Sequence, residues 1–152
     1  MNKVVIKNII VLSLIFGMVM GLLSPVPYIG LIMLFGLLLG SAPVAMIYMI
    51  MDAKLDLTTA KDSIIHGAVA GFSANLTFAS IYCVLIVLLS KIFHYSPNLF
   101  LTAMVENSPI WLLGAFIIFL GVLCATTNAF TGFATFYIIN FIRDIYENQH
   151  KQ

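Results

Sequence analysis

Two carboxamides and three hydroxyls lie deep inside long apolar runs, where the chemistry open to them is hydrogen bonding. They belong to Asn75, Tyr82, Asn128, Thr131 and Thr135. An amide or hydroxyl in a hydrocarbon environment needs a partner, because burying it without one is costly. We therefore predict that these side chains form a polar interior.

This polar interior has two interpretations. In the first, Asn75 and Asn128 clamp the third and fourth apolar runs together, each interhelical bond contributing about 0.6–2 kcal/mol. In the second, the same groups contact a solute along a path. The first is favoured because glycines that promote close helix packing lie beside both amides.

His66 is a candidate pH-sensitive group, since imidazole titrates near neutral pH. It lies only a few residues inside the third apolar run. A lone histidine at that depth is more often simply hydrated, and hydration is the state we expect for it. No metal-ligand spacing connects His66 with His94 or His150.

Several kinds of chemistry lack their usual residues. No apolar run holds Asp, Glu, Lys or Arg at mid-depth, so a proton-coupled antiporter would have no ionisable carrier, and the mid-membrane Glu of small multidrug exporters is missing. The chain has no Ser/His/Asp set, paired carboxylates, HExxH or glycine-rich phosphate loop. Cys83 and Cys124 form no CxxC pair. We expect no enzymatic activity, no cofactor and no metal.

The composition indicates a membrane protein. Of 152 residues 62% are hydrophobic and 9% charged, with a mean hydropathy of +1.09, outside the range of water-soluble domains. The net charge of +1 gives no argument for nucleic acid as a partner. The lipid bilayer and other membrane helices are the expected partners.

The fold class we predict is all-α: a polytopic membrane protein forming one domain over residues 1–152. Its four transmembrane helices form two hairpins in a compact bundle. A short surface helix is expected at 97–106, with Ser96 as its N-cap and Pro97 as its first helical residue. The four spans cover about 4–23, 28–51, 64–93 and 110–142.

Two features could bend these helices. Pro43 removes a backbone donor inside the second span and is a candidate hinge. The fourth run, from Ile110 to Arg143, would be about 50 Å long against a hydrocarbon core of about 30 Å. It must therefore project, tilt or break near residues 126–128.

Small residues recur along every span and predict tight helix contacts. Three pairs of glycines are spaced four residues apart, and three more glycines lie along the fourth span. These helix-packing candidates are Gly17, Gly21, Gly36, Gly40, Gly67, Gly71, Gly114, Gly121 and Gly132.

The positions of the basic residues predict the orientation. With a cytoplasmic N-terminus, only Lys91 of the seven Lys and Arg residues lies outside. Both termini are then cytoplasmic in a multi-pass protein of the cell membrane. The others are Lys3, Lys7, Lys54, Lys61, Arg143 and Lys151.

Two functions fit these patterns. The first is a non-catalytic accessory or assembly subunit that packs against other membrane helices through its small-residue faces. The second is a homo-oligomeric channel or facilitator for a neutral or weakly polar solute. The second requires oligomers, because a chain of 152 residues is too short to enclose a path alone.

Overall fold

The chain folds into five helices, of which four are long. The computed structural model describes residues 3–26, 28–52, 55 and 59–149. Helix accounts for 90% of these residues and none of them is in a strand, which confirms the all-α class. The helices are α1 (Lys3–Leu23), α2 (Ile29–Met51), α3 (Ala60–Phe93), α4 (Leu99–Asn107) and α5 (Ile110–Gln149). All except α4 are long and apolar enough to cross a membrane.

The helix boundaries follow local capping more closely than they follow hydropathy. Helix α3 begins at Ala60 rather than at residue 64, because the Thr59 hydroxyl accepts a hydrogen bond from the Asp62 N–H at 3.2 Å. The cap of α4 is Asn98, not Ser96, and its side chain accepts from the Leu101 N–H at 3.1 Å. Both helices therefore start at a side chain that satisfies a free backbone donor.

Helix α5 is continuous over 40 residues, about 60 Å. It passes through residues 126–128 without a break. The hydroxyls of Thr126 and Thr127 bond within α5 there. Each donates to carbonyl oxygens three and four residues earlier, at 2.8–3.2 Å. The sequence left three alternatives for this helix: it projects from the membrane, it tilts, or it breaks near residues 126–128. The break is wrong.

Helix α3 is the centre of the bundle and contacts each of the other four helices. Its most extensive contacts are with α5 and then with α1. The contact between α1 and α2, which are adjacent in the chain, is smaller than the contact between α1 and α3. Helix α2 completes the bundle by packing against α1, α3 and α5.

The α1–α3 contact is close because glycines of α1 face the backbone of α3. A Cβ at Gly17 would overlap the Ala74 carbonyl, and a Cβ at Gly21 would lie 3.0 Å from the Phe78 carbonyl oxygen. A side chain at either position would push the helices apart.

The bundle has a small interior and a large apolar exterior. Ile9, Met46, Met49 and Ile86 are among the largest side chains that are fully buried. Many large apolar side chains point outward instead, among them Phe119, Phe130, Tyr137 and Phe141 of α5. A soluble monomer rarely exposes apolar surface on this scale.

Candidate functional site

Asn128 is fully buried, and its carboxamide bonds to helix α2. The side-chain oxygen accepts from the Ala42 N–H at 2.8 Å. The side-chain nitrogen donates to the carbonyl oxygens of Leu37 at 3.0 Å, Leu38 at 2.9 Å and Cys124, in its own helix, at 2.9 Å. Its two hydrogens are therefore shared among three carbonyls.

The place where Asn128 meets α2 is a turn that Pro43 disturbs. In a regular helix the Ala42 N–H would donate to the Leu38 carbonyl, and Pro43 has no N–H for the carbonyl of Leu39. The Asn128 carboxamide contacts both the Ala42 donor and the Leu38 acceptor. One side chain thus satisfies backbone groups on both sides of a helical turn. The Ser41 hydroxyl adds a bond to the Leu37 carbonyl at 2.8 Å.

Asn75 is the corresponding side chain of α3 and bonds to α5. It is 1% exposed, and its nitrogen donates to the Ile117 carbonyl at 3.1 Å. Its oxygen faces the Cys124 thiol, with the sulfur 3.7 Å away, the geometry of a weak S–H donor. Asn75 therefore joins the third and fourth spans as predicted, whereas Asn128 bonds to the second span.

The hydroxyls of Thr131 and Thr135 bond to their own helix. Thr131 donates to the Asn128 carbonyl at 3.2 Å, and Thr135 donates to the Thr131 carbonyl at 2.7 Å. Side chains engaged in this way stay within the helix that carries them. Thr135 is buried and Thr131 is half-buried.

Glycines of α3 and α5 surround the two amides and set the distance between these helices. A Cβ at Gly67 would overlap the Asn128 carbonyl oxygen, and one at Gly71 would overlap the Cys124 carbonyl. A Cβ at Gly132 would come within 2.6 Å of the Ser63 carbonyl oxygen, and one at Gly121 within 2.9 Å of the Phe72 ring. These four glycines allow the close approach within which Asn75 reaches α5.

Three other glycines have looser surroundings. A Cβ at Gly36 would lie 3.2 Å from the Met20 methyl group, and one at Gly40 would lie 3.7 Å from the Phe16 ring. At Gly114, no atom of the described residues lies within 4 Å of the position that a Cβ would take. Gly30, which the sequence analysis did not single out, lies closer, with a Cβ 2.5 Å from the Ser24 carbonyl oxygen.

His66 is 4% exposed, so the expectation of a hydrated imidazole is wrong. Neither ring nitrogen has a hydrogen-bond partner among the residues that the structure describes, and the same holds for the buried Ser13 hydroxyl on α1. Among the residues that the structure describes, no three His, Cys, Asp or Glu side chains are grouped closely enough to hold a metal ion. The role of His66 as a pH-sensitive group stays a prediction.

Tyr82 lies away from the two amides, towards the α4 end of the bundle. Its ring stacks on Phe78 with centroids 5.6 Å apart, and it lines a cavity of about 470 Å³. The five side chains predicted to form one polar interior are thus divided: the two amides and two threonines lie along the α5 contacts, and Tyr82 belongs to the cavity.

The partner of Asn128 on α2 was missed for an identifiable reason. The acceptors and the donor are backbone groups of Leu37, Leu38 and Ala42, whose side chains carry no polar atoms. The signal in the sequence is Pro43, which marks a helix whose backbone bonds are incomplete.

Comparisons of the chain with protein-family models, with curated proteins and with solved structures gave no match. The function is therefore inferred from the contacts within the chain itself.

Proposed function

We propose that the chain is an integral protein of the cell membrane, with α1, α2, α3 and α5 crossing the bilayer and α4 lying at its surface. The lengths of the four helices and their outward apolar side chains support this arrangement. Four crossings bring both ends of the chain to one side. The six-to-one distribution of basic residues supports the cytoplasm as that side.

Within this membrane protein, α1 with α2 and α3 with α5 are two antiparallel hairpins. The α3–α5 hairpin is held by Asn75 and by the glycine contacts around it. The α1–α2 hairpin is held largely through α3 and through the Asn128 bonds to α2.

Its function is that of a non-catalytic accessory or assembly subunit that packs against another membrane protein. The observation that carries this proposal is the set of hydrogen bonds made by Asn128. Both amide hydrogens are engaged by backbone carbonyls of α2 and α5, so they are not offered to a solute. The two buried amides, Asn75 and Asn128, therefore support a role in holding the bundle together.

The surface proposed for the partner differs from the one expected from the sequence. Gly17, Gly21, Gly67 and Gly71 contact the chain's own helices, so their faces are occupied. The face around Gly114 is open. Trp111 and Ile118, one turn before and after Gly114, are 72% and 57% exposed.

The C-terminal end of α5 is a second exposed region suited to a partner. Every residue from Phe141 to Gln149 is exposed. Ile142, Ile145 and Tyr146 lie three and four residues apart and so share one face of the helix. Helical apolar residues with this spacing are typical of an interface between helices.

The channel hypothesis has less support. It requires Asn75, Asn128, Thr131 and Thr135 to offer polar atoms to a solute, and each of them donates to a backbone carbonyl of the protein. A path would have to form between copies of the chain.

The variant Asn128→Leu tests the proposal. It removes three bonds to α2, which at about 0.6 kcal/mol each predicts a loss of about 2 kcal/mol in the free energy of unfolding. Unfolding in mixed micelles and partner retention on affinity purification are measured, together with solute flux in liposomes. The matched control is Asn140→Leu, since Asn140 lies about three turns further along α5.

The proposal predicts that Asn128→Leu lowers stability and partner retention while Asn140→Leu leaves both near the parent values. Loss of a solute flux with stability and assembly retained would contradict it and favour a channel.

A further inference from the structure

The cavity beside Tyr82 lies where α2 and α5 separate. These helices contact each other where Asn128 bonds to Leu37, Leu38 and Ala42. Towards α4 they are apart, with Leu34 of α2 on one wall and Phe116 of α5 on the other. Helix α3 forms the floor through Phe78, Ala79 and Tyr82, and α4 closes one end.

The lining of this cavity is apolar. Leucine, isoleucine, valine, phenylalanine, methionine and proline side chains predominate, and no Asp, Glu, Lys or Arg is among the described residues that line it. The few polar side chains are those of Ser24, Tyr28, Tyr82, Cys83 and Asn98. The Asn98 side chain is already engaged as the cap of α4. The cavity is therefore suited to a hydrocarbon group and offers nothing to hold a charge.

Helix α4 is tethered where it closes the cavity. A carboxylate oxygen of Glu106 accepts from the Ser90 hydroxyl at 2.8 Å and pairs with the Lys91 amine at 3.9 Å, both on α3. Leu34 and Phe116, on the opposite walls, are 43% and 37% exposed. The cavity thus opens sideways between α2 and α5, towards the apolar exterior.

The volume of the cavity distinguishes between two apolar occupants, a helix and an alkyl chain. A helix with its side chains is about 10–12 Å across and rises 5.4 Å per turn, so about 400–600 Å³ holds only one turn. A cavity of about 470 Å³ is too small for a helix of a second copy or of a partner. An alkyl chain is far narrower, and the volume lies within the range of small-ligand sites.

We propose that this cavity binds one acyl chain of a membrane phospholipid, which enters between α2 and α5. The inference rests on the membrane location proposed above. The headgroup stays outside, so binding selects the chain rather than the charge of the lipid. The bound chain fills the space between α2 and α5 that no side chain of the protein fills.

Photo-crosslinking tests this site in the full chain. The protein is placed in nanodiscs of phosphatidylcholine that contain a small fraction of phosphatidylcholine with a diazirine in its acyl chain. After irradiation, the modified residues are located by peptide mass spectrometry. We expect the crosslinks to concentrate on the cavity lining, at residues such as Tyr82 and Leu120.

Two variants fill the cavity, and a third variant serves as the control. Ala79→Phe adds a ring at the floor, and Leu34→Trp adds one at a partly exposed wall where folding is least affected. Ala115→Phe adds the same ring as Ala79→Phe at an exposed position of α5 outside the lining. Losing the space for a few methylenes should reduce labelling of the lining about ten-fold in the filled variants, and Ala115→Phe should leave it unchanged.

Crosslinks spread evenly over the outward faces, or labelling of the lining that survives Leu34→Trp, would overturn the acyl-chain site. Carbonate extraction of host membranes separates this failure from that of the membrane location. A protein that stays with the membrane but shows no cavity labelling contradicts only the lipid site. A protein released by carbonate contradicts the membrane location.

Discussion

Two buried polar side chains of this protein have opposite surroundings. Asn128 contacts four backbone groups, whereas neither nitrogen of His66 has a partner within the described part of the chain. A buried polar group without a hydrogen bond costs about 1–3 kcal/mol. The bundle thus gains stability from one of these residues and loses it at the other.

At His66 we expect the variant His66→Leu to raise the free energy of unfolding by about 1 kcal/mol, because it removes an unsatisfied imidazole. Reversible unfolding in mixed micelles measures the change. The matched control is Asn75→Leu, an equally buried but partnered residue, which should lower the free energy of unfolding. A His66→Leu variant that is destabilised as much as Asn75→Leu would show that the imidazole has a partner.

At the residue scale, the sequence indicated that the two amides are buried. It did not indicate which groups they contact. Asn75 and Asn128 stand out because amides are rare among apolar residues. Their partners are backbone carbonyls, which every residue carries, so no residue type identifies them. The burial of His66 was missed because the sequence does not show how far the neighbouring helices extend beyond it.

At the scale of the helices, the contribution of a glycine to packing depends on which atoms face it. Gly67 of α3 lies against the Asn128 carbonyl of α5, whereas in the part of the chain that the structure describes no atom is near the Cβ position of Gly114. The two residues look alike in the sequence, since both lie in a long apolar helix. Only the packing of α3 on α5 distinguishes them.

We expect the variant Gly67→Ala to lower the free energy of unfolding by about 2 kcal/mol or more, because the new methyl group forces α3 away from α5. Gly114→Ala has open space and better helix propensity, so it should be neutral or stabilising by up to about 1 kcal/mol. The same unfolding measurement compares them. Equal losses in the two variants would contradict the packing of α3 on α5.

The boundaries of the helices could be predicted from the sequence more fully than the contacts between the helices. The apolar runs predict α1 and α2 to within a residue. The start of α3 was placed too late because Lys61 and Asp62 are charged, although the cap at Thr59 includes them in the helix. The extensive contact of α1 with α3, rather than with its chain neighbour α2, depends on which glycine faces meet, and hydropathy carries no information on that.

At the scale of the whole molecule, the two buried amides bond within the protein and the exterior is large and apolar, which supports the proposal that the protein acts through its surface. The buried amides hold the helices, and the glycines bring α3 close to α1 and α5. The exposed apolar groups include those around Gly114, at the C-terminal end of α5 and at the mouth of the cavity. Lipid and a second membrane protein are the partners that we propose for this surface.

Native mass spectrometry of the tagged chain, extracted gently from the membrane of its own host, tests the accessory role most directly. The account predicts a stoichiometric complex with a different membrane protein, which is lost when Trp111 and Ile118 are both replaced by Ala. A homogeneous homo-oligomer with no other protein would contradict it.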